Sequence, residues 1–177
     1  MQGAGGLVYW NSPVCCRTHA GTGPDVILRE TTTVIEPVLR CRITQDADVY
    51  VAVVRVRALM QAIGFGAVDQ TRLEIVVLEL ARNIRTHAGH GELRFRQVAA
   101  ESQVGLQIEA VDQGPGIADI DLALRDGYST AQTMGVGLPG VRRMVDTCSI
   151  ESMPGRGTCV RVVKWLNTQQ RKVPFRG

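Results

Sequence analysis

Long apolar runs are absent from this sequence of 177 residues. No stretch approaches the roughly 18–20 consecutive apolar residues of a membrane-spanning helix. No early Lys or Arg precedes a long apolar core, as a secretory signal requires. The cysteines number five and form no CxxC pair, so neither a disulfide framework nor a zinc site is indicated. We therefore expect a cytoplasmic protein with reduced thiols and no membrane contact.

A large excess of charge is also missing. The formal net charge is only +3, and the basic residues are spread along the chain, which gives no indication of a nucleic-acid partner. Hydrophobic residues make up 45 % and charged residues 21 % of the chain, as in ordinary globular domains. Length and composition together predict one globular domain with a tail, and neither nucleic acid nor membrane among its partners.

The N-terminal residues differ in composition from the rest. Residues 1–37 hold many Gly, Thr and Pro residues without a sustained period, which predicts a flexible N-terminal extension. Ordered structure is expected to begin with a strand at residues 38–43. The prediction is therefore a flexible extension of residues 1–37, an ordered domain of residues 38–166 and a C-terminal tail of residues 167–177.

Hydrophobic periodicity predicts the order of helices and strands. Apolar residues at i, i+3, i+4 and i+7 predict a first helix, capped by Asp46 or Asp48. His87 and His90 are interpreted as loop residues. The further predicted elements are a helix at 69–88, strands at 93–98 and 104–111, a loop with a short helical stretch at 117–134, a helix at about 139–147, and strands at 148–152 and 158–166. This order predicts an α+β fold, a two-layer α/β sandwich in which helices cover one face of a mixed, mostly antiparallel sheet.

The second predicted helix carries a carboxylate and a carboxamide. Glu79 and Asn83 stand four residues apart, so they fall about 40° apart on one side of the helix, beside its apolar stripe. Oxygen ligands of this kind suit Mg²⁺, which also binds phosphates, and a carboxylate there can orient or deprotonate an attacking hydroxyl. Taken alone, the pair is more typical of an exposed helix surface.

Two glycine-rich stretches follow along the chain. Asp112 ends a strand on its inward face and opens the stretch Asp112-Gln113-Gly114-Pro115-Gly116-Ile117. Its ionised carboxylate accepts hydrogen bonds, for example from the exocyclic amine of adenine, and the glycines allow close approach of a ligand. The second stretch, Gly135-Val136-Gly137-Leu138, leads into a helix, whose first N–H groups favour phosphate. Thr158 begins a closing strand and offers a hydroxyl beside Asp112, and each feature alone also fits an ordinary turn or strand.

The order and spacing of these motifs resemble a known family. The GHKL (Bergerat-fold) ATPases, which include gyrase, Hsp90, MutL, histidine kinases and anti-sigma-factor serine kinases, are similar over residues 38–166. Within that family the chain looks most like the serine/threonine stressosome switch kinases. The residues that carry the resemblance are Glu79-Leu80-Ala81-Arg82-Asn83-Ile84, Asp112-x-Gly114-x-Gly116-Ile117, Asp126-Gly127-Tyr128-Ser129-Thr130, Gly135-x-Gly137-Leu138, Gly157-Thr158 and Lys164-Trp165-Leu166.

The resemblance implies ATP and Mg²⁺ as cofactors and a role for each matching residue. Glu79 would act as the general base or would position the substrate hydroxyl, and Asn83 would ligate Mg²⁺. Asp112 would bind the adenine amine, with Thr158 nearby. The adenine pocket would be shaped by Gly114, Gly116 and Ile117. The residues that would close over the phosphates are Gly135, Val136, Gly137 and Leu138. Residues 119–134 would form a mobile lid.

The resemblance also implies partners and a place in regulation. The implied substrates are STAS-domain antagonist and scaffold proteins, phosphorylated on Ser or Thr in a stress-response, partner-switching pathway. The kinase would then activate a PP2C-type phosphatase or a sigma-factor regulator. One alternative is a nucleotide-dependent anti-sigma or regulator-binding module without significant kinase activity, because nucleotide can order a lid and so create a docking surface. Another is an ATPase portion of a sensor or repair protein.

Overall fold

The strands and helices follow the predicted order. The computed structural model describes residues 33–100, 103–125 and 137–167. Among these residues no helix is long and apolar enough to cross a bilayer. The elements are β1 (Thr33–Ile43), α1 (Asp46–Ile63), α2 (Ala67–Asn83), β2 (Gly91–Ala100), β3 (Gln103–Asp112), α3 (Ile120–Ala123), α4 (Gly137–Met144), β4 (Thr147–Met153) and β5 (Gly157–Trp165).

The five described strands form one sheet in the order β1-β2-β3-β5-β4. Every neighbouring pair is antiparallel, so the prediction of a mixed sheet is wrong for the described strands. The physical reason is that β4 and β5 form a tight hairpin, and β5 then runs antiparallel to β3 as well. The α+β class and the sandwich of helices on a sheet are confirmed.

The core lies between one face of the sheet and the helices α1 and α2. Both helices bury the stripes that the sequence predicts, because residues three and four apart share one side of a helix. Burying each large aliphatic side chain contributes roughly 1.5–3 kcal/mol. The core residues include Val49, Ala52, Val56 and Met60 of α1, Leu73, Val76, Val77 and Leu80 of α2, and Leu93, Phe95, Leu106, Ile108, Val160 and Val162 of the sheet.

Several element boundaries differ from the predicted ones. The first strand begins at Thr33 rather than Val38, because Thr33 pairs with Ala99 in the neighbouring strand. Residues 33–37 therefore belong to the sheet, and the predicted flexible extension otherwise lies outside the described residues. Helix α4 begins at Gly137, two positions before the predicted Pro139, and ends at Met144. The start of β1 at Thr33 is set by pairing with a strand that is distant in sequence, and such pairing leaves no local pattern.

The helix starts are also corrected. Gln45 is the N-cap residue of α1, and Asp48, three positions later, reaches back to the free N–H groups before the helix. Gly66 is the N-cap residue of α2, which places Asp69 inside the first turn, where it is buried. After Asn83 the helix widens into a π-helical turn of residues Ile84–Ala88.

Stability at acid pH is expected to depend on Asp48. Its carboxylate accepts hydrogen bonds from the Thr44 N–H (2.8 Å), the Thr44 hydroxyl (2.8 Å) and the Gln45 N–H (3.0 Å). These bonds lower the pKa of Asp48 from 3.8 to about 2. Because the folded pKa lies below the unfolded value, the stabilisation is complete above pH 3.8 and is lost as the pH falls towards about 2.

Urea denaturation at a series of pH values tests this expectation. The difference in unfolding free energy between the wild type and Asp48→Asn should shrink as the pH falls through that window. Asp121→Asn, at an exposed position of α3, is the control and should show no such trend. If the difference in unfolding free energy between the wild type and Asp48→Asn stays constant with pH, the stabilising role given to the Asp48 carboxylate is wrong.

Candidate functional site

A cavity of about 690 Å³ opens between α2, the loop that follows β3 and the first residues of α4 and β5. Its size lies within the roughly 300–1,000 Å³ of small-molecule sites. Of the residues predicted for the site, these line it: Glu79, Asn83, Asp112, Gly116, Ile117, Gly137, Leu138 and Thr158.

The other predicted site residues have two different positions. Gly114 does not line the cavity, but its N–H donates to Asp112 Oδ1 at 2.8 Å and so holds that carboxylate. Gly135 and Val136 lie outside the described residues, as does most of the predicted lid, since residues 126–136 are not described. The part of that lid that is described contains the short helix α3, whose Leu122 and Ala123 line the cavity.

Glu79 stands where α2 faces the beginning of α4. Its carboxylate is buried, with 6 % of the residue exposed. One oxygen accepts the Gly137 N–H at 3.3 Å, and the other lies 3.5 Å from the guanidinium of Arg82. A buried carboxylate needs such partners, because an isolated charge away from water is costly. The Glu79 carboxylate is therefore hydrogen-bonded to the first residue of α4.

Asn83 lies one turn further along the same side of α2. Within the described part of the chain its carboxamide has no hydrogen-bond partner, and it lines the cavity. The π-helical turn begins at the next residue, and π-turns are frequent at functional sites. Arg85, in that turn, donates to the carbonyls of Thr44 and Gly89, which fixes the turn against the start of α1.

Asp112, the last residue of β3, lines the same cavity. Its Oδ1 accepts the N–H groups of Gly114 at 2.8 Å and Thr158 at 3.3 Å. Its Oδ2 has no hydrogen-bond partner among the described residues. Ala110 and Val160 supply apolar surface beside it. The arrangement offers one carboxylate oxygen to a hydrogen-bond donor on a flat apolar ligand.

The loop of residues 113–119 is fixed to the hairpin of β4 and β5. The Ile117 N–H donates to Ser152 Oγ at 2.7 Å, and the Gly155 N–H donates to the Pro115 carbonyl at 2.8 Å. Gly116 has φ 76° and lies so close to the Met153 carbonyl that a Cβ would overlap its oxygen. Only glycine fits this position, because both the conformation and the space exclude a side chain.

Sequence reasoning missed several residues of the site. Arg82 could have been found, because it stands three residues after Glu79 on the same helix. His87, interpreted as a loop residue, lies in the π-helical turn and lines the cavity. Ser152 left no signal, because its position opposite Thr158 depends on the register of the β4–β5 hairpin. The place of Arg82 beside Glu79 is a local feature of the sequence, whereas the place of Ser152 depends on the fold.

Comparison with known proteins identifies relatives. The family model for histidine kinase-, DNA gyrase B- and HSP90-like ATPases matches residues 68–168. The serine/threonine-protein kinase RsbT of Bacillus subtilis (strain 168) is 45 % identical over 125 residues, which are 71 % of this chain and 94 % of RsbT. An anti-sigma F factor of Thermoanaerobacter sp. (strain X514) is 32 % identical over 68 residues, 37 % of this chain and 48 % of that protein. The catalytic domain of the histidine kinase ThkA has a TM-score of 0.46 at 15 % identity, covering 75 % of this chain and 99 % of its own, a likeness too weak to carry an argument.

These matches define the class of the protein. The chain belongs to the histidine kinase-, DNA gyrase B- and HSP90-like ATPases, because the family model matches more than half of its length. Within them it is a protein serine/threonine kinase, similar to RsbT and, at lower identity, to anti-sigma F factors. The resemblance to the GHKL ATPases and to the stressosome switch kinases is thereby confirmed, and with it the use of ATP.

The donor chemistry of the cavity fits a cation that arrives with phosphates. No cluster of three or more His, Cys, Asp or Glu side chains suitable for a metal occurs in the residues that the structure describes. Asn83 and Glu79 both line the cavity, and the Glu79 carboxylate accepts the Gly137 N–H. Mg²⁺ usually keeps several waters and takes only one or two protein oxygens beside those of a nucleotide, so this sparse donor set is suitable.

The closest backbone approach in the site gives a mutational prediction. Gly157 has φ 102°, and a Cβ there would overlap the carbonyl oxygen of Asp112. Gly155, in the same turn, has φ 75° and open space around its missing side chain. Gly155→Ala should therefore cost only the strain of a positive φ, about 1–2 kcal/mol, whereas Gly157→Ala should cost about 2 kcal/mol more, because backbone must also move.

Urea unfolding of both variants, with nucleotide binding measured beside it, checks the prediction. Gly157→Ala should also weaken nucleotide binding, because the displaced backbone carries Asp112. Gly155→Ala is the matched control for the φ strain alone. Equal losses of stability in the two variants would show that the close approach to Asp112 is unimportant.

Proposed function

We propose that this kinase transfers the terminal phosphoryl group of ATP to a Ser or Thr hydroxyl of a small regulatory protein. The observation that carries the proposal is that one cavity is lined by Asp112, Glu79 and Asn83 together. A carboxylate acceptor suits the adenine amine, and the pair of Glu79 and Asn83 suits phosphates and the attacking hydroxyl.

In this proposal the adenine end binds and orients the base. Asp112 Oδ2 accepts a hydrogen bond from the 6-amino group, while Gly114 and Thr158 hold Oδ1 through their N–H groups. The ring lies against the apolar surface of Ala110 and Val160. Gly116 and Ile117, fixed to the hairpin, close the side of the pocket and exclude water from the base.

The phosphate end is formed by α2 and the beginning of α4. The positive end of the α4 dipole and the Leu138 N–H favour phosphate oxygens, while the Gly137 N–H donates to Glu79. We propose that the predicted stretch Gly135–Leu138 closes over the phosphates. We propose that the Asn83 carboxamide would hold Mg²⁺, which would supply neutralisation of phosphate charge when bound.

Glu79 is the residue proposed to act on the substrate hydroxyl. Its carboxylate accepts an N–H from Gly137 and pairs with Arg82. An ionised carboxylate can orient the hydroxyl and accept its proton as the oxygen attacks phosphorus. Arg82, with its side chain 54 % exposed, is free to rotate towards an arriving phosphate.

The partners of the reaction are proposed from the relatives. RsbT is named a serine/threonine-protein kinase, and other relatives are named anti-sigma F factors. We propose STAS-domain antagonist or scaffold proteins as phosphoacceptors, and a PP2C-type phosphatase or sigma-factor regulator as the protein activated afterwards. We place the reaction in the cytoplasm, where ATP is supplied and thiols stay reduced. Burial raises the pKa of the Cys41 and Cys148 thiols, which keeps them in the unreactive form.

Substitution of Glu79 tests the phosphotransfer step. Glu79→Gln keeps the size of the side chain and removes its basicity, so transfer to a cognate partner should fall by about 10²–10⁴-fold. ATP affinity should change little, because the adenine contacts are made elsewhere. The measurements are transfer of label from γ-labelled ATP and a separate nucleotide titration.

Glu74→Gln is the matched control on the same helix. Glu74 pairs with Arg57 on α1 and lies outside the cavity, so this variant should transfer phosphate at the wild-type rate. Undiminished transfer by Glu79→Gln would remove Glu79 from the mechanism while leaving the nucleotide site intact.

A second function is favoured by the anti-sigma F factors among the relatives. In it the chain binds nucleotide and then holds a regulator, without significant transfer. Nucleotide-dependent complex formation with a candidate regulator, measured by sedimentation with ATP and without it, should then persist in Glu79→Gln while wild-type transfer stays undetectable. Phosphorylation of the partner by the wild type, with release of the product, would instead support the kinase.

A further inference from the structure

The outer face of the sheet, which is turned away from α1 and α2, is buried along its centre. Strand β3 places Leu106 and Ile108 in the core, and Gln107 and Glu109 between them point to the outer face. These two polar residues are nevertheless only 4 % and 5 % exposed. Neighbouring strands contribute three more buried residues to the outer face, which are Val98 of β2 and Cys159 and Val163 of β5.

None of the described helices covers this face. The helices α1, α2 and α4 contribute Val49, Leu73 and Val141 to the core on the inner face, and α3 borders the cavity on the same side. Side chains on an uncovered sheet face stay partly open to water, because neighbouring strands flank them without capping them. The outer-face residues Arg42 of β1 and Ser149 of β4 are exposed in this way. Residues beyond the described ranges therefore cover the central strands.

A buried ionic cluster shows that the cover excludes water. The carboxylate of Glu109 lies 3.0 Å from the guanidinium of Arg96 and 2.9 Å from that of Arg161. Gln107 donates to the same carboxylate at 3.1 Å. The Arg96 Nε is buried and has no hydrogen-bond partner among the described residues. On an open sheet face water would reach this N–H group and satisfy it.

Position in the chain limits which segment can form the cover. Residues 101–102 are too few, and residues 126–136 connect α3 to α4, which border the cavity on the other side of the sheet. The segments that remain are residues 1–32 and 168–177. Both adjoin the buried area, because Val34 pairs with Val98, and Trp165 pairs with Gly105, which pairs with Val98 in turn.

Charge disfavours the C-terminal segment. Residues 168–177 contain Arg171, Lys172 and Arg176 and no acidic residue. The described strands place more arginine than glutamate on the outer face, so a basic segment would be repelled there. The charged residues of that face are Arg40, Arg42, Arg94, Arg96 and Arg161 with Glu92, Glu109 and Glu151.

The composition of the N-terminal segment suits the face better. In residues 1–32, Arg17 and Arg29 are balanced by Asp25 and Glu30. Two apolar runs can pack against valine side chains, and burial of apolar surface is the main stabilising contribution in such packing. These runs are Leu7-Val8-Tyr9-Trp10 and Val26-Ile27-Leu28.

We propose that residues 1–32 fold back over the outer face of the sheet and cover the centre of β2, β3 and β5. The buried area runs from the level of Gly105 to that of Val111, which is about 20 Å at roughly 3.3 Å per residue. Part of a segment of this length is enough to span it. The inference is independent of the proposed nucleotide site, which lies on the opposite side of the sheet.

The Cys159 thiol reports on the cover. In the chain with Cys15→Ser and Cys16→Ser, the remaining thiols are Cys41, Cys148 and Cys159. Labelling by a maleimide is followed at each thiol by mass spectrometry of peptides. Deletion of residues 1–32 should raise the labelling rate of Cys159 by about tenfold or more, because the thiol no longer waits for a cover to open. The rate of Cys41, which is buried in the core on the inner face, should stay unchanged.

Further variants keep the test independent of whether the shortened chain folds. Trp10→Asp combined with Ile27→Asp places one charge in each apolar run of the full chain and should raise the Cys159 rate selectively. Thr18→Asp combined with Thr22→Asp adds the same charge at polar positions between the runs and is the matched control. Neither this control nor deletion of residues 168–177 should change the rate.

Each other outcome would overturn the inference. An unchanged Cys159 rate would mean that residues 1–32 cover nothing, and equal rises at Cys41 and Cys159 would mean loss of the fold rather than of a cover. A rise only on deletion of residues 168–177 would assign the cover to that segment. Protection that falls on dilution would assign it to a second copy of the chain. ATP titration of the same variants, expected to be unchanged, tests the proposed function separately.

Discussion

The site depends on the contact between the end of β3 and the beginning of β5. Antiparallel pairing brings Asp112 beside Thr158, although 46 residues separate them in sequence. The approach is so close that position 157 has no space for a Cβ against the Asp112 carbonyl. This contact positions the Asp112 carboxylate, which faces the cavity. It also positions the loop of residues 113–119, because that loop follows Asp112 directly and lies against the β4–β5 hairpin.

The cavity wall that contains Glu79 and Asn83 depends on α2, which contributes to the core and to the site at once. Its apolar stripe packs between α1 and the sheet, and this fixes the direction of the side chains at its edge. Glu79 and Asn83 therefore reach the cavity without a loop to support them. The bond from the Gly137 N–H to Glu79 connects this helix to the beginning of α4, so the position of the carboxylate depends on how α2 and α4 pack.

Much of the fold could be predicted because its signals are local. The buried stripes of α1 and α2 depend on neighbours within a few residues, and the structure has them as expected. The alternation expected for β3 is absent, because Gly105–Ala110 are buried on both faces of the strand. The boundaries and the strand directions could not be predicted in the same way. The strand at Thr33 exists because β2 offers it partners, and the sheet is antiparallel throughout its described strands because of how β5 returns beside β3. Gly135 and Val136, outside the described residues, stay predictions.

The sequence by itself determined which chemical groups the protein carries and on which elements they stand. The four-residue spacing of Glu79 and Asn83 and the glycines after Asp112 are local facts that needed no fold. Only the tertiary structure decided that Glu79 meets Gly137, 58 residues away, and that Ser152 holds Ile117, 35 residues away. The physical reason is that a hydrogen bond between distant residues depends on strand register and helix packing, which arise from the whole core rather than from the residues that the bond joins.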